Sequence, residues 1–236
     1  MAEAKREVIC TGVEEVDNKL GGGIPVGSLT LIEGHSDAGK SVLCQHLTHG
    51  TLTSGEASVA YYTTENNVRS LISQMDSLSL HIMEHFLADH LRIYPLTFHG
   101  RLQGGNKPFY VLTHHFSRLP DNFRLIIVDS ITLLVAHSNP VSIIDFFARC
   151  KSLCNEDRSI IVVAHSYAFE EEMLSRTRSL CDARFRLRLE QVGDRMVKLM
   201  EVLKVRGADR PTGDVVSFDI EPRVGMRIIP LAKARV

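Results

Sequence analysis

The chain of 236 residues contains no tryptophan, only 6% aromatic residues and almost no net charge, with 27 Lys and Arg against 28 Asp and Glu. A nucleic-acid coat protein or a polybasic membrane binder usually carries an excess of positive charge, because neutralisation of phosphate drives its affinity. The near balance of charge therefore argues against both classes. Any anion that this chain binds is expected at a local site.

Cysteine is scarce, and its five positions are an odd number at irregular spacing, which argues against a disulfide framework. Cys150 and Cys154 are four residues apart, as on one face of a helix. We interpret them as small buried side chains, with a two-ligand metal clip as the alternative. The 11 histidines include the nearly helical series His81, His85 and His90. No compact Cys/His set with zinc-like spacing is formed.

Long apolar runs are also missing. The longest mostly apolar stretch, residues 125–136, contains Asp129 and Ser130 and is shorter than the roughly 20 residues that span a bilayer. The first ten residues are charged and contain no apolar signal core. We expect a soluble, intracellular protein. Because no repeat or long linker interrupts the chain, we also expect one domain over residues 1–236.

Short apolar runs alternate with helical patterns, which predicts an α/β fold with a mostly parallel sheet between helices. The predicted strands are residues 28–33, 58–65, 91–96, 125–129 and 160–164, and the clearest predicted helices are residues 40–50 and 142–154. After Cys181 the pattern changes to alternating strands with glycine-containing turns, at residues 184–189, 196–205, 215–220 and 226–231. These strands predict an antiparallel C-terminal extension.

One segment between the first strand and the first helix fits the phosphate-binding pattern G-x-x-x-x-G-K-[ST] at every fixed position. Its glycines let successive N–H groups point into one concavity, and the following helix adds its positive N-terminal end. The lysine is expected to reach the β- and γ-phosphates of a nucleotide, and the serine hydroxyl is expected to hold Mg²⁺. The candidate ATP-binding residues are Gly34, His35, Ser36, Asp37, Ala38, Gly39, Lys40, Ser41 and the following Val42.

A phosphate-binding loop predicts an acidic residue at the end of another buried strand, where it supports the metal ion. Asp129 follows four apolar residues and fits this role, with a helix N-cap as the alternative. Glu65 ends the second predicted strand and is the candidate catalytic base, with a solvated loop glutamate as the alternative. His165 and Ser166 follow the strand at 160–164, where they are either γ-phosphate sensors or ordinary loop residues.

The loop, Glu65 and the segment LIIVDS at 125–130 resemble the RecA-type ATPase core. The opening segment 11–25 resembles KaiC-like domains, and so does LKVRG at 203–207. Over nearly all 236 residues the chain is similar to the ATP-binding proteins of the archaellum motor, the FlaH or ArlH family. The segments that carry this likeness are 21–25, 32–34, 39–43, 63–65, 91–96, 169–173 and 217–222.

This resemblance implies a RecA-like three-layer fold, a homo-oligomeric ring (a hexamer), and ATP with Mg²⁺ held by Ser41 and Asp129. It implies a place at the cytoplasmic face of the membrane, beside the archaellum motor ATPase FlaI and the membrane protein FlaJ. It also implies that Lys204 and Arg206 reach the nucleotide of a neighbouring subunit. Residues two apart in a strand point the same way, so both can serve one neighbour. A solvated strand face is the alternative.

Hydrolysis is expected to be slow or absent. KaiC-like hydrolytic domains carry paired glutamates after the second strand, whereas here Glu65 is followed by Asn66. An amide cannot accept a proton as a carboxylate does. The sequence therefore favours an ATP-binding accessory subunit in which the nucleotide acts as an assembly or conformational switch.

Two other functions remain open, a KaiC-like ATPase in signalling and a RadA-like ATPase on DNA. Ser36 and Ser41 lie where they could be phosphorylated. Against DNA stands the acidic segment FEEE at 169–172, because carboxylates repel phosphate. The basic stripe of Arg184, Arg186 and Arg188 is interpreted as a solvated strand face or a docking surface for an acidic partner. No nucleic-acid partner is expected.

Overall fold

A computed structural model describes residues 7–97, 107–192, 195–208, 210–212 and 215–229. The strands are β1 (Val8–Ile9), β2 (Ile24–Pro25), β3 (Leu29–Gly34), β4 (Val59–Thr63), β5 (Leu91–Pro95), β6 (Leu125–Asp129), β7 (Ser159–His165), β8 (Ala183–Val192), β9 (Arg195–Val205), β10 (Val215–Glu221) and β11 (Gly225–Ile228). The helices are α1 (Glu14–Lys19), α2 (Lys40–Ser54), α3 (Val68–Ser77), α4 (Met83–Leu87), α5 (Lys107–Phe116), α6 (Thr132–Ala136), α7 (Pro140–Cys154) and α8 (Glu171–Leu180).

Nine strands form one sheet in the order β11-β10-β9-β8-β3-β7-β6-β4-β5. Six neighbouring strands, from β8 to β5, run parallel, and β9, β10 and β11 continue the sheet antiparallel. This confirms the predicted α/β class with a mostly parallel sheet and antiparallel C-terminal strands. Because parallel strands end at the same edge, the residues that follow β3, β4, β6 and β7 lie close together.

The antiparallel extension begins one strand later than predicted. β8 pairs parallel with β3, Ala183 opposite Thr30 and Leu187 opposite Gly34, so the first antiparallel partner is β9. The alternation of arginine with apolar residues in β8 predicts a strand with one solvated face, because a parallel strand covered on both faces is usually apolar throughout. Here one face of β8 is covered partly by ion pairs between arginine and glutamate. An arginine in such a pair and an arginine in solvent give the same alternating sequence.

Two apolar layers cover the two faces of the sheet. One layer packs α2 and α3 against alternate residues of β3, β4 and β6, and the other packs α5, α6, α7 and α8 against the remaining residues. Helix α7 begins after Asn139, whose side chain accepts a hydrogen bond from the Ser142 N–H, and Pro140 occupies its first turn. Cys150 and Cys154 are buried in the second layer, as predicted, and none of the five cysteines is in a disulfide.

The predicted elements agree with the structure to within a few residues, except at the chain end. The predicted strand 226–231 corresponds to β11, which ends at Ile228, and residues 230–236 lie outside the described part of the chain. Glu65 lies two residues beyond β4 rather than inside the strand. Among the described residues, no helix is long and apolar enough to cross a membrane.

Candidate nucleotide-binding site

The predicted phosphate loop connects the end of β3 to the start of α2. A Cβ atom at Gly34 would lie 1.9 Å from the Leu187 carbonyl oxygen of β8, so only glycine fits this crossing. Gly39 adopts a left-handed conformation with φ +91° and caps α2 without a side-chain hydrogen bond. The first N–H groups of a helix have no intrahelical acceptor, and they face the loop as donors for an anion.

Lys40 extends back over this loop. Its Nζ donates a hydrogen bond to the His35 carbonyl oxygen at 2.5 Å. Burial lowers the pKa of the Lys40 ammonium, and the negative charges of Asp129 and Glu65 oppose that effect. His35, Ser36 and Asp37 at the tip of the loop are exposed, whereas Ala38 and Lys40 are buried. The loop thus presents amide donors and one cation, which are groups that bind an anion.

Asp129 is buried at the end of β6 and faces α2. Tyr61 Oη donates to Asp129 Oδ2 at 2.7 Å, and the Ser41 hydroxyl also hydrogen-bonds to this carboxylate. Burial raises the pKa of Asp129, while these hydrogen bonds lower it. The structure therefore brings Ser41 and Asp129 together, as the sequence predicted for the metal-supporting pair. The helix N-cap alternative for Asp129 does not hold, because α6 begins after Ile131.

The donor set of this pair fits Mg²⁺, which prefers oxygen ligands and usually keeps several waters and phosphate oxygens in its coordination shell. Within the described ranges, no group of three or more His, Cys, Asp or Glu side chains could hold a metal ion on its own. A Mg²⁺ ion at Ser41 and Asp129 would therefore need phosphate oxygens and water to complete its shell. This requirement ties a metal ion here to a bound nucleotide.

Glu65 is exposed and lies beyond the end of β4. The negative charge of Glu65 acts on both Lys40 and Asp129, which places its carboxylate at the same edge of the sheet. Asn66 is fixed to α3, because its Oδ1 accepts a hydrogen bond from the Ser70 hydroxyl at 2.9 Å. The position next to Glu65 thus carries an amide hydrogen-bonded to α3 rather than a second carboxylate.

His165 ends β7 directly opposite Gly34 in the parallel register. Burial lowers the pKa of its imidazole, and the positive charge of Lys40 adds to that effect. Thr132, at the start of α6, lies 2.9 Å from His165 Nδ1, and the ring of Tyr167 stacks on the imidazole at 5.1 Å. His165 thus lies beside the loop, where its role as a γ-phosphate sensor stays a prediction, and Ser166 opens a short 3-10 turn next to it.

A C-terminal hairpin forms one wall beside the loop. A Cβ at Gly39 would lie 3.0 Å from the Phe218 ring and 3.3 Å from Ile220, both on β10. The hairpin is fixed to α2 because the Met226 N–H donates to His46 Nε2 at 2.9 Å in the buried interior. Burial lowers the pKa of His46 to about 4. The loop is therefore packed against the last strands of the chain.

Lys204 and Arg206 lie at the opposite edge of the sheet from the loop. Lys204 pairs with Arg184 near the start of β8, and its Nζ donates to the Cys181 carbonyl oxygen. Arg206 lies one residue beyond β9, which corrects the prediction that both side chains share one strand, and its guanidinium is 3.6 Å from Asp182. β3 separates this edge from Gly34 by about 17 Å, at about 3.3 Å per residue.

The arginine stripe of β8 is paired with carboxylates of the same chain rather than simply solvated, and its use as a docking surface for an acidic partner stays a prediction. Glu33, fully buried immediately before Gly34, lies 3.7 Å from Arg184 and 3.6 Å from Arg186. Arg188 pairs with Glu201 at 2.9 Å. Arg178 of α8 completes the cluster with a contact of 3.0 Å to Glu33. Carboxylates of the same chain thus neutralise much of the stripe.

Three site residues were missed by the sequence analysis: Tyr61, Thr132 and Glu33. Tyr61 gave only a partial signal: alternate residues of a strand share a face, but the position of β4 beside β6 is seen only in the structure. Thr132 and Glu33 gave no such signal. Their roles arise from contacts between elements that are distant in the chain.

Comparison with known proteins gives one family and several close relatives. Residues 9–233 match the family described as ATPase: KaiC. The chain is 30% identical to the archaeal flagellar ATP-binding protein FlaH of Sulfolobus acidocaldarius, covering 97% of this chain and 99% of that protein. It is also 30% identical to the FlaH protein of Methanocaldococcus jannaschii, covering 91% of this chain and 92% of the relative.

Solved structures agree with this fold. The crystal structure of the flagellar accessory protein FlaH from Methanocaldococcus jannaschii superposes with a TM-score of 0.80 at 27% identity, over 95% of this chain and all of the other. A KaiC-like protein from Pyrococcus horikoshii superposes with a TM-score of 0.78 at 14% identity, over 95% of this chain and all of its own. The latter supports the RecA/KaiC-like fold alone.

Proposed function

The chain belongs to the KaiC family of ATPases and, within it, to the archaeal flagellar ATP-binding proteins of the FlaH type, and from this premise we propose that it is an ATP-dependent switch subunit of the archaellum motor. In this proposal Mg²⁺–ATP occupies the edge formed by the loop at 34–41. Occupancy, rather than rapid hydrolysis, favours one arrangement of the assembled subunits.

The observation that carries the proposal is the uncapped N-terminus of α2 beside Ser41 and the buried Asp129. The loop amides and Lys40 would hold the phosphates, because these groups are hydrogen-bond donors and positive charge converges there. Ser41 and Asp129 would hold Mg²⁺, which supplies charge neutralisation between the β- and γ-phosphates when bound. The hydroxyl of Tyr61 keeps the Asp129 carboxylate oriented toward Ser41.

Weak hydrolysis is supported by the surroundings of Glu65. This exposed glutamate is the candidate base for orienting water, and its neighbour Asn66 is an amide hydrogen-bonded to Ser70 rather than a second carboxylate. A single solvated carboxylate gives little general-base assistance, because efficient bases are positioned against the proton that they abstract. We therefore expect turnover well below about 1 per second, the lower end of ordinary enzyme rates.

The switch requires a connection between subunits, which we assign to Lys204 and Arg206. Their distance from the loop of their own chain leaves the nucleotide of a neighbour as the one that they would contact. In a ring, proposed here as a hexamer, the two cations would stabilise the γ-phosphate from outside, much as an arginine finger does. The ring would dock beside the motor ATPase FlaI and the membrane protein FlaJ at the cytoplasmic face of the membrane.

The test is the mass of the purified protein with Mg²⁺–ATP, with Mg²⁺–ADP and without nucleotide, measured by size-exclusion chromatography with light scattering. We expect a ring with ATP and smaller species in the other two conditions. Lys40→Ala should stay small in all three. A mass that is the same in every condition would contradict the switch.

ATP turnover measured in the same samples, with and without single-stranded DNA, separates this proposal from the DNA-dependent alternative. We expect slow turnover that DNA does not change. A turnover well above once per second that needs no partner would identify an ordinary ATPase. Strong stimulation by DNA would instead favour the RadA-like function.

A further inference from the structure

The imidazole of His165 makes a hydrogen bond through one ring nitrogen and a stacking contact on one face. Its Nδ1 lies 2.9 Å from Thr132 Oγ1, and Tyr167 stacks on the ring. The charges that act on the imidazole are those of Lys40, Glu65, Asp37 and His35, all at the edge that carries the loop. Nε2 is therefore the ring nitrogen left for a ligand, and its chemistry depends on which nitrogen carries the proton.

The Thr132 hydroxyl determines that proton. It has three hydrogen-bonding neighbours: the His165 backbone N–H at 3.1 Å, His165 Nδ1 at 2.9 Å and the Ser130 hydroxyl at 3.1 Å. A backbone N–H can only donate, so Thr132 Oγ1 accepts that bond. The hydroxyl has one proton of its own to give. It goes either to Nδ1 or to Ser130.

The two arrangements differ in what they leave unsatisfied. If Thr132 donates to Ser130, then the Ser130 hydroxyl proton has no acceptor in the described part of the chain, and Ser130 is 2% exposed. If Ser130 donates to Thr132 and Thr132 donates to Nδ1, every one of these protons is used. Buried donors without an acceptor are rare and costly. The second arrangement is therefore preferred, and it places the imidazole proton on Nε2.

We propose that Thr132, backed by Ser130, is a positioning residue that keeps His165 in the Nε2–H tautomer, so that His165 donates a hydrogen bond to the terminal phosphate of ATP. This inference rests on the proposed function for the identity of the ligand. An Nδ1–H tautomer would turn a lone pair toward the phosphate and repel it. ADP lacks the γ-phosphate, so the relay makes the site distinguish ATP from ADP.

The tautomer itself is the first test, and it needs no nucleotide. Long-range proton–nitrogen correlation spectra of ¹⁵N-histidine-labelled protein report which ring nitrogen is protonated, with His165 assigned from the signal lost in His165→Gln. We expect the Nε2–H form in the wild type and in Thr132→Ser, which keeps the hydroxyl. Thr132→Val, of nearly the same shape, should show a mixture. An Nδ1–H form or a mixture in the wild type would overturn the proposal.

The ratio of ATP to ADP affinity is the second test, measured by calorimetry for the wild type, Thr132→Ser and Thr132→Val. Loss of a hydrogen bond to a charged group predicts a fall of about tenfold in this ratio for Thr132→Val, through weaker ATP binding with ADP binding unchanged. Thr132→Ser should keep the wild-type ratio. Equal ratios in wild type and Thr132→Val would refute the role in discrimination.

The two proposals fail in different ways. If the wild type binds no ATP, the proposed function fails, and the tautomer spectra still decide what Thr132 does. If ATP binds and the wild-type spectrum shows the Nδ1–H form, the relay fails and the nucleotide site stands. If Thr132→Val does not fold, Thr132→Ser and the wild-type spectrum remain decisive.

Discussion

The sheet has one edge where the parallel strands end and another where they begin, and the two edges differ in how their charged residues are paired. At the edge where β3 and β6 end, Lys40 and the uncapped start of α2 present cationic and amide groups that the chain itself only partly uses. At the other edge, Asp182 accepts from the Leu29 N–H at 2.9 Å and pairs with Lys151. One edge is arranged to receive an anion, and the other is closed by internal pairs.

This difference constrains how the subunits can work. Lys204 and Arg206 lie at the closed edge, where a backbone carbonyl and Asp182 hold them when the chain is alone. A contact between these cations and a nucleotide requires another copy of the chain. The comparison thus predicts that residues at the loop edge bind ATP, whereas Lys204 and Arg206 at the other edge control ATP-dependent assembly. Mutations should then separate the two properties.

The largest effect is expected from Glu33→Gln, which removes the buried charge between the loop and the arginines of β8. Breaking a buried ion pair by removing one partner costs about 3–5 kcal/mol, and Glu33 is fully buried with a guanidinium 3.0 Å away. Urea unfolding should show a loss of that size. Asp182→Asn at the other edge should cost about 1–2 kcal/mol, because its amide oxygen can still accept from Leu29. Equal losses of stability in Glu33→Gln and Asp182→Asn would contradict the difference between the two edges.

The sequence predicts the features that depend on local patterns, but not the contacts between distant elements that distinguish the two edges. The positions of the main strands, the loop and the pairing of Ser41 with Asp129 follow from local patterns, because apolar runs and glycine spacing report local geometry. The burial of Glu33 and the parallel pairing of β8 do not. An arginine beside a buried carboxylate gives the same alternation as an arginine in solvent. The relation of Thr132 to His165 likewise depends on where α6 packs.

A smaller effect is expected where the hairpin of β10 and β11 joins α2. His46 accepts from the Met226 N–H, and burial, with a smaller contribution from His49, lowers its pKa from 6.5 to about 4. Between pH 6.5 and 4 the unfolded chain binds more protons at this group, so stability falls as the pH falls. The shift corresponds to about 2 kcal/mol lost at pH 5.

Urea unfolding at pH 7 and pH 5 measures this effect. His46→Gln should remove about that much of the pH dependence, while His137→Gln, at an exposed position, should leave it unchanged. His46→Gln would also weaken the packing of Phe218 beside Gly39, because His46 holds the hairpin on α2. If His46→Gln and the wild type lose equal stability between the two pH values, His46 is not the buried neutral group described here.

The smallest effect is expected from Arg206→Ala at the closed edge. The side chain is exposed and 3.6 Å from Asp182, so the stability of the isolated chain should change by less than about 1 kcal/mol. ATP-dependent assembly should weaken by about tenfold, the loss expected for a contact with a charged phosphate. Light scattering and nucleotide titration on the same samples measure both properties. Equal losses in assembly and in binding by dilute monomer would remove the contact between subunits.

The most direct measurement is calorimetric titration of Mg²⁺–ATP into dilute wild-type protein, Lys40→Ala and Lys204→Ala. These two lysines lie at opposite edges of one sheet, so the second is a matched control for the first. We predict that Lys40→Ala binds ATP about 100-fold more weakly and that Lys204→Ala binds within about twofold of the wild type. No heat of binding in the folded wild type, or equal affinities in all three proteins, would contradict the account.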